Sequence, residues 1–220
     1  MNVTIEGKPV FSHLNVVLEP GESIIAESDA MANMSADLDM EAKFNGSLPA
    51  ALVKKFVGGE SLFVNHFKNN TSAPLKLALT QPMPGDVMEM ELKGNSFYLQ
   101  PGAFVACTPG IDLSVSWAGF ASMIAREGLF RLKVSGNGKV WFGAFGGLIE
   151  KHVEGEYLVD TSHLVGYEPG FKLSIQMAGG IFSSILGGEG LVTRMKGTGK
   201  IIIQTRSINS LATWVNRFLP

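Results

Sequence analysis

Three variants of one phrase recur along the chain: GGESL (Gly58–Leu62), AREGL (Ala125–Leu129) and GGEGL (Gly187–Leu191). Their glutamates, Glu60, Glu127 and Glu189, lie 67 and 62 residues apart. A near-fixed period of this size points to internal duplication. The flanks agree. LFRLKVSGNGKVWF (Leu129–Phe142) follows the second copy and LVTRMKGTGKIII (Leu191–Ile203) the third. Ahead of them stand TPGIDLSVSWAG (Thr108–Gly119) and EPGFKLSIQMAG (Glu168–Gly179), which share Pro, Gly, Leu, Ser, Ala and Gly at matching places. The first copy is more diverged, with SADLDMEAKFNG (Ser35–Gly46) in the strand position. EPGES (Glu19–Ser23), MPGDV (Met83–Val87) and VEGEY (Val153–Tyr157) are read as small acidic turns that open each unit. Three units follow, near 15–82, 83–150 and 151–206, in one β domain over 1–206.

The units read as strands. DVMEMEL (Asp86–Leu92) sets Met88, Met90 and Leu92 on one face and Val87, Glu89 and Glu91 on the other. PLKLALT aligns Leu75, Leu77 and Leu79, and LFRLKV aligns Phe130, Leu132 and Val134. SGNGK and KGTGK are read as tight turns between two strands, because glycine accepts positive φ. The fold class expected is all-β: three tandem short β-sandwich or double-stranded β-helix-like units with a pseudo-threefold internal repeat. Helix is expected only in SLPAALVKKFVGG (Ser47–Gly59), in the corresponding slots FASMIARE and IFSSILGGE, and at the C-terminus. There, over 207–220, Leu211, Trp214, Val215 and Phe218 fall at helical spacing. That stripe is expected to pack on the sheet or on a neighbouring subunit. A membrane-surface helix is disfavoured, since Arg217 is its one basic residue.

Composition narrows the function classes. Charged residues are 17% of the chain, against about 25% in a typical soluble domain. Mean hydropathy is +0.19. A surface this apolar tends to be covered, and the default cover is another copy of the same chain. The net charge of −2 and thinly spread basic residues disfavour nucleic acid. Cys107 is the only cysteine, so neither an internal disulfide nor a cysteine-based zinc site forms, and a reducing, cytoplasmic setting fits. It lies in an apolar strand and reads as an inert thiol. The N-terminus shows no basic start followed by an apolar run, so no signal peptide is expected.

No catalytic, cofactor or metal residue stands out, and the chain is expected not to be an enzyme. Glu60, Glu127 and Glu189 could meet at a threefold axis, but one carboxylate per unit supplies too few ligands for a hard cation. Glu150, His152 and Glu154 share a strand face, which an exposed polar edge explains. His13, His66 and His163 are scattered. The glycine-lysine phrases lack the leading Gly and the following Ser or Thr of a phosphate loop.

The GGEGL turn, the GTGK phrase after it, the PGE openings and the closing RFLP resemble the bacterial relatives of altered inheritance of mitochondria protein 24. The resemblance spans nearly the whole chain. It implies a fold similar to that of the tryptophan RNA-binding attenuator protein and a trimer-like self-assembly. Eukaryotic members are linked to mitochondrial inner-membrane organisation. The family offers no agreed catalytic residues to carry over. The expected role is a non-enzymatic, homo-oligomeric scaffold or partner-binding module, with an unidentified protein partner and a peripheral membrane contact as further expectations. Binding of a small molecule between units or subunits, or of RNA, are the alternatives.

Overall fold

Strands dominate the computed structural model, which describes residues 1–44, 63–100, 102–117, 130–177 and 191–219. The three GGEGL-like turns, with Glu60, Glu127 and Glu189, and the three expected internal helices lie outside the described residues. The first third of the chain forms β1 (Asn2–Glu6), β2 (His13–Leu18), β3 (Ser23–Glu27), β4 (Met31–Met34), β5 (Asp39–Phe44), β6 (Phe63–Lys68) and β7 (Leu75–Thr80). The middle forms β8 (Val87–Leu99), β9 (Phe104–Cys107), β10 (Ile111–Trp117) and β11 (Phe130–Gly143). The last third forms β12 (Leu148–Asp160), a 3-10 turn (Thr161–His163), β13 (Leu164–Tyr167), β14 (Lys172–Met177), β15 (Leu191–Gln204) and helix α1 (Ile208–Asn216).

Pairing is antiparallel throughout the named strands, which form sheets of four and eleven strands among the described residues. The long strand β11 pairs with β8, β9 and β10. The long strand β15 pairs in the same way with β12, β13 and β14. In the first third that role is divided: β7 pairs with β2 and β4, and β6 with β3 and β5. The short strands β4, β9 and β13 each meet their partner with a register shift.

Alternation explains these strands. Leu75, Leu77 and Leu79 are buried on β7, as their spacing predicts. On β8, Leu92 is buried, Met88 and Met90 pack partly against the core, and Glu89 and Glu91 are exposed. Val87 shares the face of Glu89 and Glu91 as expected and is nevertheless buried, because a second cluster packs on that end of the strand. Among the described residues the buried apolar side chains form three clusters. One of 15 buried residues centres on Leu14, Ile24, Phe67 and Leu79 and takes in Val105 and Trp141 from the middle third. One of 16 centres on Phe97, Phe104, Val140 and Phe142 and takes in Val165 and Ile202 from the last third. The third, Val153, Val159, Leu164, Tyr167, Met195 and Ile201, has only six.

Three turn assignments are corrected. The SGNGK and KGTGK phrases are not turns: they lie inside the continuous strands β11 and β15. Gly136 and Gly197 keep the expected positive φ, +115° and +153°. Their service is close approach. A Cβ on Gly136 would stand 2.4 Å from the Gly110 carbonyl oxygen, and one on Gly197 would stand 2.9 Å from that of Gly170. The Pro-Gly turns before β10 and β14 therefore press onto the long strands, where a side chain would keep them away. VEGEY is likewise not a turn but the middle of β12.

Candidate interaction surface

The residues singled out for chemistry do not converge. His13 starts β2, 3.8 Å from Glu6. His66 lies on β6, and burial, with Lys43 nearby, pulls its pKa down. The His163 ring nitrogen Nδ1 is 2.7 Å from the Gln204 carbonyl, which ties the 3-10 turn to the end of β15. Glu150, His152 and Glu154 do share the exposed face of β12. There Glu150 pairs with Lys200 at 2.8 Å, and His152 stands 3.7 Å from Glu154. Among the described residues no three metal-ligating side chains come together. Lys139 and Lys200 of the two glycine-lysine phrases hold carboxylates across the strand pair, Glu89 at 2.7 Å and Glu150 at 2.8 Å, rather than a phosphate.

Cys107 is fully buried, and burial, with Asp112 nearby, pushes its thiol up to about 12. A thiol that stays protonated is a poor nucleophile. We expect the native chain at pH 8 to resist a soluble thiol reagent and the denatured chain to react fully. Fast labelling of native protein would contradict this burial. The unfolded thiol ionises first, near 9, so this group's contribution to stability holds below that pH and fades as pH rises towards 12.

What the structure does assemble is a pair of open ends. Two joints connect successive thirds of the chain. At the first, Ile25 and Ala26 of β3 pair with Cys107 and Ala106 of β9. At the second, Tyr98 and Leu99 of β8 pair with Tyr167 and Gly166 of β13. Tyr98 and Tyr167 stack there with ring centroids 5.2 Å apart. Each joint uses the strand that runs into one third's short strand and the short strand of the following third. The corresponding edges left over are the end of β12 and the outer side of β4. Among the described residues, β12 ends the eleven-stranded sheet and β4 ends the four-stranded one.

The loops that start the thirds form a ladder beside these joints. The Ser12 amide donates to the Gly85 carbonyl, and the Asp86 amide to the Gly146 carbonyl. Gly85 and Gly146 form a parallel bridge. Gly147 exchanges hydrogen bonds with Thr205, and a Cβ on Gly146 would meet Arg206. Ser12 therefore stands at one end of a series of four steps and Thr205–Ser207 at the other. Asp86 is buried, and its Oδ1 accepts from Ser12 Oγ and from the Val87 amide, which fixes the first step.

The exposed apolar side chains follow the same division. Val10, Phe11, Met31 and Met40 lie in the first third. Ile149, Leu158, Ile208, Leu211, Trp214, Val215, Phe218 and Leu219 lie in the last third and its helix. None of the large side chains exposed to this degree among the described residues belongs to the middle third, which has a neighbour on each side. Sequence reasoning found the helical stripe but missed the ends, because edges are set by which strands pair and not by their composition. No helix of the described residues is long and apolar enough to cross a membrane.

A family model described as Mitochondrial biogenesis AIM24 matches residues 3–206. The chain belongs to this family. Among AIM24 relatives, an uncharacterized protein of Streptococcus pyogenes serotype M6 is 26% identical, over 100% of this chain and 92% of its own length. An X-ray crystal structure of a Streptococcus pyogenes protein is similar with a TM-score of 0.80 and 26% identity, covering 99% of each chain. The AIM24 match spans the described β strands from β1 to β15 and stops before α1.

Proposed function

We propose that this AIM24-family chain is a non-enzymatic β scaffold, made of three like units, that assembles head to tail with its own copies. The observation that carries the proposal is the pair of edges left unpaired among the described residues, β12 at one end and β4 at the other, that match two joints already made inside the chain. The recurring pairing scheme supports the three-unit reading, with units starting near Ser12, Asp86 and Gly147. So does the recurring Lys–Glu pair: Lys139 with Glu89 and Lys200 with Glu150 stand 61 residues apart. The internal joints give a register for the joint between copies. Leu158 of one copy takes the place of Tyr98, and Met34 of the next takes the place of Tyr167. Val159 and Asn33 follow as the second pair.

The last cluster supports the same reading. Among the described residues, two clusters take in side chains from the third that follows them, and the six-residue cluster takes in none of that kind. A second copy's first third would supply them. Head-to-tail contacts give a ring when the rotation closes, and a trimer is the proposed closure. A scaffold of this kind would present the same surface several times to a partner. The lone buried thiol favours a cytoplasmic setting for it.

Light scattering across a range of concentrations tests the assembly. We expect a discrete mass that is a multiple of the 23.6-kDa chain, three being the proposed number. A monomer at every concentration would remove the basis for the scaffold.

A further inference from the structure

We propose that the apolar face of α1 is a docking arm that covers the Val10–Phe11 loop of the next copy, an inference that rests on head-to-tail assembly. Helix α1 is well made locally: Ser207 is its N-cap and accepts from the Ser210 amide. Yet none of its residues is buried. Ile208, Leu211, Trp214 and Val215 line it at helical spacing, and Phe218 packs its ring 5.0 Å from Trp214. Trp214 is 58% exposed and Phe218 70%. Water on such a face is costly, at roughly 25 cal/mol per Å² of apolar surface.

The ladder of loops names the occupant. Thr205 and Arg206 form the last step of the series beside Gly146 and Gly147, and they lead directly into the buried N-cap Ser207 of α1. Val10 and Phe11 precede Ser12 at the first step, and Phe11 is 72% exposed. Within the chain each step sits directly on the one before it. Continuing the series across a head-to-tail joint sets the first step of the next copy on the last step of this one. The Val10–Phe11 loop then meets α1. A capping helix at the end of an array would turn a polar face outward; this one turns its aromatic residues outward. Its residues Ile208–Asn216 carry no charged side chain and Arg217 only caps its C-terminus, which gives little attraction to an anionic lipid surface.

A double-mutant cycle on the full chain tests the contact. Phe11→Ala, Trp214→Ala and the double variant are compared with the wild type by concentration-dependent light scattering, with folding checked by thermal melting. Both side chains are exposed, so folding is expected to be unaffected. We expect each single change to raise the dissociation constant by roughly tenfold or more. The double change should raise it by clearly less than the product of the two, because both remove one contact. An assembling protein that ignores Trp214→Ala, or a product of independent effects, overturns the docking arm and leaves head-to-tail assembly standing. A wild type that never assembles overturns both. Flotation with phosphatidylcholine–phosphatidylglycerol vesicles supplies the remaining arm. Vesicle binding that is lost in Trp214→Ala, with assembly unchanged, would assign the face to lipid and overturn the proposal.

Discussion

Replacing Leu158 by glutamate is expected to yield a folded monomer. Leu158 is 52% exposed in the single chain, so a charge there remains solvated and the fold tolerates it. In the assembly its position corresponds to Tyr98, whose ring is stacked against Tyr167 in the internal joint. A carboxylate forced into that contact must be desolvated against Met34 of the next copy, and Arg194, opposite it within the sheet, is already engaged by Glu156. A penalty of about 3 kcal/mol corresponds to a loss of more than a hundredfold in association. Thermal melting and light scattering together separate the outcomes. An unchanged melt with a monomer mass is the expected result. An intact assembly would mean that β12 is not the joining edge.

Trp141→Ala is expected to destabilise the chain by about 3–5 kcal/mol, most of the margin a domain of this size has. Trp141 is fully buried and belongs to the cluster built mainly by the first third, although it sits on β11. It therefore ties the first third to the middle. Its Nε1 donates to Glu89 Oε2 at 3.0 Å, and Lys139 holds the other oxygen of that carboxylate at 2.7 Å. Truncation opens a large cavity and leaves Glu89 with a lost donor. The denaturant midpoint should fall well below that of the wild type. A shift equivalent to under about 1 kcal/mol would mean that the two thirds are held together elsewhere.

Much of this fold was legible in the residues. Alternation in PLKLALT and DVMEMEL located β7 and β8 and the inward faces of Leu77 and Leu92. The helical stripe over 207–220 located α1, whose regular turns span Ile208–Asn216. The glycine phrases were misread for a definite reason. A glycine with positive φ serves a turn or a close approach equally well, and the group that approaches Gly136 is the Gly110 carbonyl, 26 residues earlier in the chain. VEGEY was misread similarly, since Gly155 has φ +88° yet opposes Gly197 in an unbroken pairing. The open edges carried no local signal at all. Met31–Met34 and the end of β12 resemble paired strands in composition, and only the pairing of their relatives, β9 with β3 and β13 with β8, reveals what they lack.

Head-to-tail pairing of β12 with β4 is tested most directly by a disulfide. The double variant Met34→Cys/Leu158→Cys sets one thiol on each vacant edge, while Cys107 stays buried as a silent background. Directly opposed residues of an antiparallel pair fall within about 4.5–5.5 Å between Cα atoms, close enough to bridge. After mild oxidation, a non-reducing gel is expected to show covalent multiples of the chain, with neither single variant doing so. A double variant that assembles yet runs as one chain would contradict the proposed joint.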